Sequence, residues 1–117
     1  MEGNNANEEP PPELPAQFSN KAVGRRLKIF RLGLGKTQEQ MAKKYGSGGE
    51  GQMWSHYERA IRVFPLEIAN LLTLEYSLDI AWIYQGNKQL LIGRPAEIVA
   101  KGEEEYAKRQ RKGRRRK

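Results

Sequence analysis

Residues 37–59 read TQEQMAKKYGSGGEGQMWSHYER, and the fold follows from this stretch. Thr37 followed three residues later by Gln40 forms a capping box, in which side chain and backbone satisfy two orphan amides at a helix start. Met41, Ala42 and Tyr45 give that helix an apolar face, and Gly46-Ser47-Gly48-Gly49 stops it. Past the glycines, Met53, Trp54 and Tyr57 line one face of another short helix.

Upstream, Val23, Leu27, Phe30 and Leu34 recur at helical spacing. Ser19 or Asn20 is placed to cap that helix, with Gly33 and Gly35 ending it. Downstream, a helix is expected from Pro65 to about Tyr76, and a shorter one behind Asp79 as cap, closed by Gly86. No segment alternates with period two for long enough to argue a strand. The expectation is an all-α domain of five short helices over residues 21–87.

Charge divides the 117 residues into three parts. Residues 1–20 carry four Glu and no basic group, for −4. Residues 21–86 carry ten basic and six acidic groups, for +4, and residues 87–117 carry eleven and four, for +7. The acidic head, with Pro10-Pro11-Pro12 inside it, has too few apolar residues to offset the entropy of ordering, so residues 1–20 are expected to be disordered. The run KRQRKGRRRK at 108–117 has eight basic residues in ten and repels itself, so it is expected to be unfolded when free. Residues 88–117 therefore read as a partly helical extension with a disordered basic end. Its helix is expected from about Pro95, with an interruption at Gly102.

Composition disfavours catalysis. No cysteine is present, the only Asp is Asp79 and the only His is His56, so the usual acid, base and metal-ligand clusters are hard to assemble. No catalytic residue, metal, cofactor or small-molecule substrate is expected. No apolar run approaches the ~20 residues of a membrane span, and an acidic, Pro-rich start does not suit a secretory signal. A cytoplasmic, nucleoid-associated setting is expected. Residues 46–51 satisfy GxGxxG but follow a helix rather than a strand. Gly35-Lys36-Thr37 ends like a phosphate loop, but Phe30 stands where the first glycine is needed.

Two short helices around a glycine-containing turn, in a small basic all-α chain, describe a helix-turn-helix. Four pieces make Gly24–Asn87 resemble the Cro/repressor-type, or xenobiotic-response-element, family. They are Arg31-Leu32-Gly33-Leu34, then Thr37-Gln38-Glu39-Gln40-Met41-Ala42 with Gly46, then Trp54-Ser55-His56-Tyr57-Glu58-Arg59, and last Trp82-Ile83-Tyr84-Gln85-Gly86. The fourth is similar to the closing helix of a bacterial and phage subgroup.

The resemblance implies a compact lambda-repressor-like fold and sequence-specific binding of double-stranded DNA by a transcriptional regulator, often as a homodimer on a two-fold site. The second helix would cross the DNA backbone and the third would enter the major groove. Gln52, Ser55 and His56 match base-reading positions, and burial of Met53, Trp54 and Tyr57 independently turns those three outward. Gln38 matches a position that contacts phosphate or props a recognition side chain. Lys36, Lys43, Arg59 and Arg62 are the expected phosphate partners. Arg31 and Glu58 match a structural ion pair between the first and third helices.

The chain departs from the family in its turn, which holds two extra residues before Tyr57. Either the turn is longer and stiffens on DNA, or the third helix starts late and is short. A second departure is Asn70, on a fourth helix that is otherwise apolar nearly all round. The surplus face calls for a cover, either a second copy or the segment after Gly86. That segment, with Leu90, Leu91, Ile92, Ile98 and Val99, can pack on the fourth helix or form a dimer interface. For the basic run, a DNA-backbone clamp, a targeting or RNA-binding signal, and a solubilising end all stand. Two alternatives to the DNA-reading function also stand: an antitoxin-type protein-interaction module, and a non-specific nucleic-acid binder acting through its tail.

Overall fold

The computed structural model describes residues 9–46 and 51–115. Among them the chain is all-helical, with six α-helices and a short 3-10 turn at Ala16–Phe18. The helices are α1 (Asn20–Leu34), α2 (Gln38–Tyr45), α3 (Gly51–Glu58), α4 (Leu66–Tyr76), α5 (Ile80–Gln85) and α6 (Gly93–Arg115).

Ser19 starts α1 by accepting a hydrogen bond from the Ala22 amide. Gly33 does not end this helix, contrary to expectation. The helix continues to Leu34, and Gly35, in the left-handed conformation, terminates it. Both halves of the capping box at Thr37 and Gln40 are formed at the start of α2. Pro65 sits at the N-cap of α4 rather than in its first turn. Asp79 occupies the N-cap position of α5, but its side chain makes no cap hydrogen bond, and its buried Oδ2 has no partner among the described residues.

The core gathers one face from each helix. Leu27, Phe30, Met41, Trp54, Leu72, Leu78, Trp82, Ile83 and Val99 are fully buried. Trp54 stands among Phe64, Tyr57 and Tyr45, with ring centroids 5.6, 6.1 and 6.2 Å away. The first two rings meet it edge-on, the arrangement favoured by aromatic quadrupoles.

The segment after Gly86 departs most from expectation. Its main packing partner is α1 rather than α4. Leu91, Ile98 and Val99 join the central cluster, and α6 lies along α1. Gly102 does not interrupt α6. A Cβ there would overlap the Ile29 carbonyl oxygen, just as one on Gly33 would overlap the Ile98 carbonyl. The two glycines let the helix backbones touch, and the propensity penalty of about 1 kcal/mol for glycine in a helix is outweighed by that contact.

The expected disorder of the tails also needs correction. Residues 1–8 and 116–117 lie outside the described residues, but the basic run is helical as far as Arg115. At the other end, the 3-10 turn is tied down. Arg26 donates to the Gln17 carbonyl and, at 2.8 Å, to the Ile83 carbonyl, while Gln17 Nε2 reaches the Gln85 carbonyl at 3.2 Å.

Leu66, Leu71 and Leu74 of α4 stay exposed, Leu74 by 83%. The surplus apolar face read from the sequence is therefore real, and α6 has been used elsewhere. No helix among the described residues is long and apolar enough to cross a membrane.

Candidate nucleic-acid interface

α2 and α3 are fixed by one carboxylate. Glu58 ends α3 and is almost wholly buried, with 2% of its side chain exposed. It accepts hydrogen bonds from Arg31 Nε at 2.6 Å and Arg31 Nη2 at 3.1 Å, a bidentate pair that fixes geometry as well as charge. It also accepts from Gln38 Nε2 at 2.9 Å and Trp54 Nε1 at 2.7 Å. Arg31 Nη1 donates to the Lys36 carbonyl at 3.0 Å, which holds the α1–α2 turn. One buried anion thus joins α1, the first residue of α2, and α3. With so many donors converging, its burial is matched by partners.

Gly24 allows α1 to approach the end of α3, since a Cβ there would overlap the Glu58 carbonyl. The helix then closes through a left-handed residue that is not glycine. Ala60 has φ +61°, the Ile61 amide donates to the His56 carbonyl at 2.9 Å, and the Ala60 amide donates to the Tyr57 carbonyl at 3.2 Å. This is a Schellman closure with a Cβ where glycine is usual.

The anchoring face of α3 leaves Gln52 exposed. Ser55 and His56 are half-buried, and His56 Nδ1 is buried without a hydrogen-bond partner among the described residues. The expectation that all three turn freely outward is therefore met fully only by Gln52. No match to this chain is found among protein-family models, curated proteins or solved structures.

Of the expected phosphate partners, Lys36, Lys43, Arg59 and Arg62 are exposed. Gln38 is half-buried, with its amide turned to Glu58, so its observed role is to prop that carboxylate. Lys36 and Gln38 line a groove of about 590 Å³ together with Arg109 of α6, a residue that sequence reasoning did not single out. A neighbouring groove brings Arg59 together with Lys21, Arg25 and Lys28 of α1 and with Tyr106 of α6. The Lys28 ammonium lies 5.8 Å from the Tyr106 ring centre, within cation–π range. Lys21, Arg25 and Lys28 recur at i, i+4 and i+7, a helical spacing that was available in the sequence. What the sequence hid was that α6 lies beside them. The extra residues of the α2–α3 connection fall largely at 47–50, outside the described residues, while α3 itself starts at Gly51 and is short, with eight residues to Glu58.

Among the described residues no group of three or more His, Asp or Glu side chains is placed to hold a metal ion. The surface offers cations around a rigid pair of helices, and that arrangement suits a polyanion.

Proposed function

We propose that this protein binds double-stranded DNA in a sequence-specific manner as a regulator of the Cro/repressor type, with α2 and α3 as a helix-turn-helix in a lambda-repressor-like domain. The observation that carries this reading is the fixing of α2 against α3 by Glu58, with Gln52 exposed on the opposite side of α3 from Trp54 and Tyr57. A rigid short helix presenting an amide suits the major groove, where Gln pairs with adenine through two hydrogen bonds. Ser55 and His56 flank it, with Lys36, Lys43, Arg59 and Arg62 on phosphates. The exposed leucines of α4 support action as a dimer on a two-fold site, with half-sites about one helical turn apart.

In vitro selection from a random duplex pool tests the reading. A symmetric enriched site is the expected result, and a pool that stays random after selection overturns it. The same α4 face also favours a second reading, a protein-interaction module of the antitoxin kind, because exposed Leu66, Leu71 and Leu74 form the sort of apolar surface that partners cover. A random pool together with a stable heteromeric complex would favour that reading.

A further inference from the structure

The basic run is the most unusual feature of the sequence, and its placement is unexpected. From Pro95 to Ala107, α6 buries residues at intervals, but from Lys108 to Gly113 every residue is exposed. A helix with no buried face has left the body of the protein. At 1.5 Å per residue, the stretch from Ala107 to Arg115 extends about 12 Å beyond the last packed turn. The glycine crossing with α1 fixes where this projection begins. Arg109 stands at its root, beside Lys36 and Gln38 at the start of α2.

The last three acids of α6, Glu103 to Glu105, directly precede the basic run, and two of them have basic partners. Glu103 pairs with Lys88 at 2.8 Å, and Glu105 lies 3.8 Å from Arg109. Lys108, Arg111 and Lys112 have no carboxylate partner among the described residues, and further arginines follow them in the sequence. Cations at a helix C-terminus complement its dipole, but that effect is confined to the last turn and does not call for so many. A projecting helix of like charges is electrostatically unfavourable alone and is stabilised by a polyanion.

We propose that the end of α6 is a second, sequence-independent DNA-binding element, a rigid arm that carries Arg109 and Lys112, one turn apart on one face, onto backbone phosphates flanking the site read by α3. The assignment rests on the DNA-binding reading above and adds to it a fixed position. The charge is delivered by a docked helix that continues the surface of Lys36, so only phosphates next to the α2 contact lie within reach. At ~3.4 Å per base pair, a 12 Å arm covers about four base pairs of flank.

The test uses the full chain and duplexes carrying a selected site, with flanks either cut at the site or extended by ten base pairs. The wild type should bind the extended duplex more tightly. The double variant Arg109→Gln/Lys112→Gln, which lies wholly in the projecting stretch, should lose that advantage and flatten the log–log salt slope by about 1.8, at 0.9 per phosphate contact. Ala107→Pro keeps every charge but breaks the helix at the root, and it should lose the flank advantage too. If Ala107→Pro disturbs the fold, as judged by Trp fluorescence, the Gln variant still carries the test.

An unchanged slope and flank dependence in the Gln variant overturns the arm, as does a well-folded Ala107→Pro protein that behaves as wild type. Stronger competition from an RNA hairpin than from duplex of equal charge overturns the choice of ligand. Equal binding of selected and scrambled duplexes by the wild type would sink the specific reading of α3, and the arm would then stand only if the Gln variant still flattens the salt slope on both duplexes.

Discussion

Arg31 of α1 closes on Glu58, the last residue of α3, through hydrogen bonds of 2.6 and 3.1 Å, and both side chains are buried. The pair sets the angle between the helices that frame the candidate interface, so its loss should affect stability and binding together. Removing one member of a buried pair leaves the other uncompensated, which costs about 3–5 kcal/mol. Glu58→Gln should therefore lower the urea midpoint strongly, and Arg31→Met comparably. Because the two residues contact each other, the double variant should fall short of the sum by about 0.5–3 kcal/mol. Strict additivity in the cycle would show that the pair is energetically idle.

A second prediction concerns Ala60. At φ +61° its Cβ is crowded by its own backbone, a conformation that costs an L-residue roughly 1–2 kcal/mol. Ala60→Gly removes that strain while giving the unfolded chain more freedom. The net expectation is a gain of about 1 kcal/mol, read as a higher thermal midpoint by circular dichroism. A lower midpoint would mean that the Ala60 methyl contributes packing that outweighs the strain.

How far these features were legible depends on whether local pattern or tertiary contact decides them. The capping box of α2 and the buried face of Trp54 and Tyr57 are local, and three- or four-residue spacing reveals them. The ion pair of Arg31 and Glu58 spans 27 residues and came only from the family resemblance, since spacing cannot reveal it. α6 was misread for an instructive reason. By propensity Gly102 is a break, and by charge 108–117 is a self-repelling coil. In the structure Gly102 is where α1 and α6 touch, so the residue that weakens the isolated helix is required by the packed one. The basic run suggested phosphate contact from its charge alone, but that Arg109 sits beside Lys36 and Gln38 follows only from that packing.

A pH dependence follows from Tyr45 and Glu75. The Tyr45 hydroxyl donates to Glu75, which is also paired with Lys44. Burial, and then the bond to Glu75, push the Tyr45 phenol well above its ordinary value, while hydrogen bonds from Lys44 and Tyr45 hold the Glu75 carboxyl below its own. A raised folded pKa gives stability that is present below about pH 10, the unfolded value for tyrosine, and is lost as pH rises beyond it. A depressed carboxyl gives stability present above about pH 4.5 that is lost as pH falls through the lower folded value. Urea midpoints should therefore decline on both limbs. Tyr45→Phe should flatten the alkaline limb and Glu75→Gln part of the acid one, the latter modestly because Glu75 is a third exposed. An alkaline limb unchanged in Tyr45→Phe would assign it to other tyrosines.

The most direct test of the proposed reading falls on Gln52. It is exposed on α3, while Trp54 and Tyr57 anchor the helix, so Gln52→Ala should leave the unfolding free energy within about 0.5 kcal/mol of wild type. Against the preferred duplex, losing a bidentate base contact should cost about 1–3 kcal/mol and relax preference at one base position. Lys43→Gln provides the contrast. Exposed on the last turn of α2, it should weaken all duplexes alike and lower the salt slope by about 0.9. A competition assay with single-base site variants separates the two patterns. If Gln52→Ala weakens every duplex equally, as a phosphate contact does, the reading role passes from Gln52 to another part of the surface, and the orientation proposed for α3 fails with it.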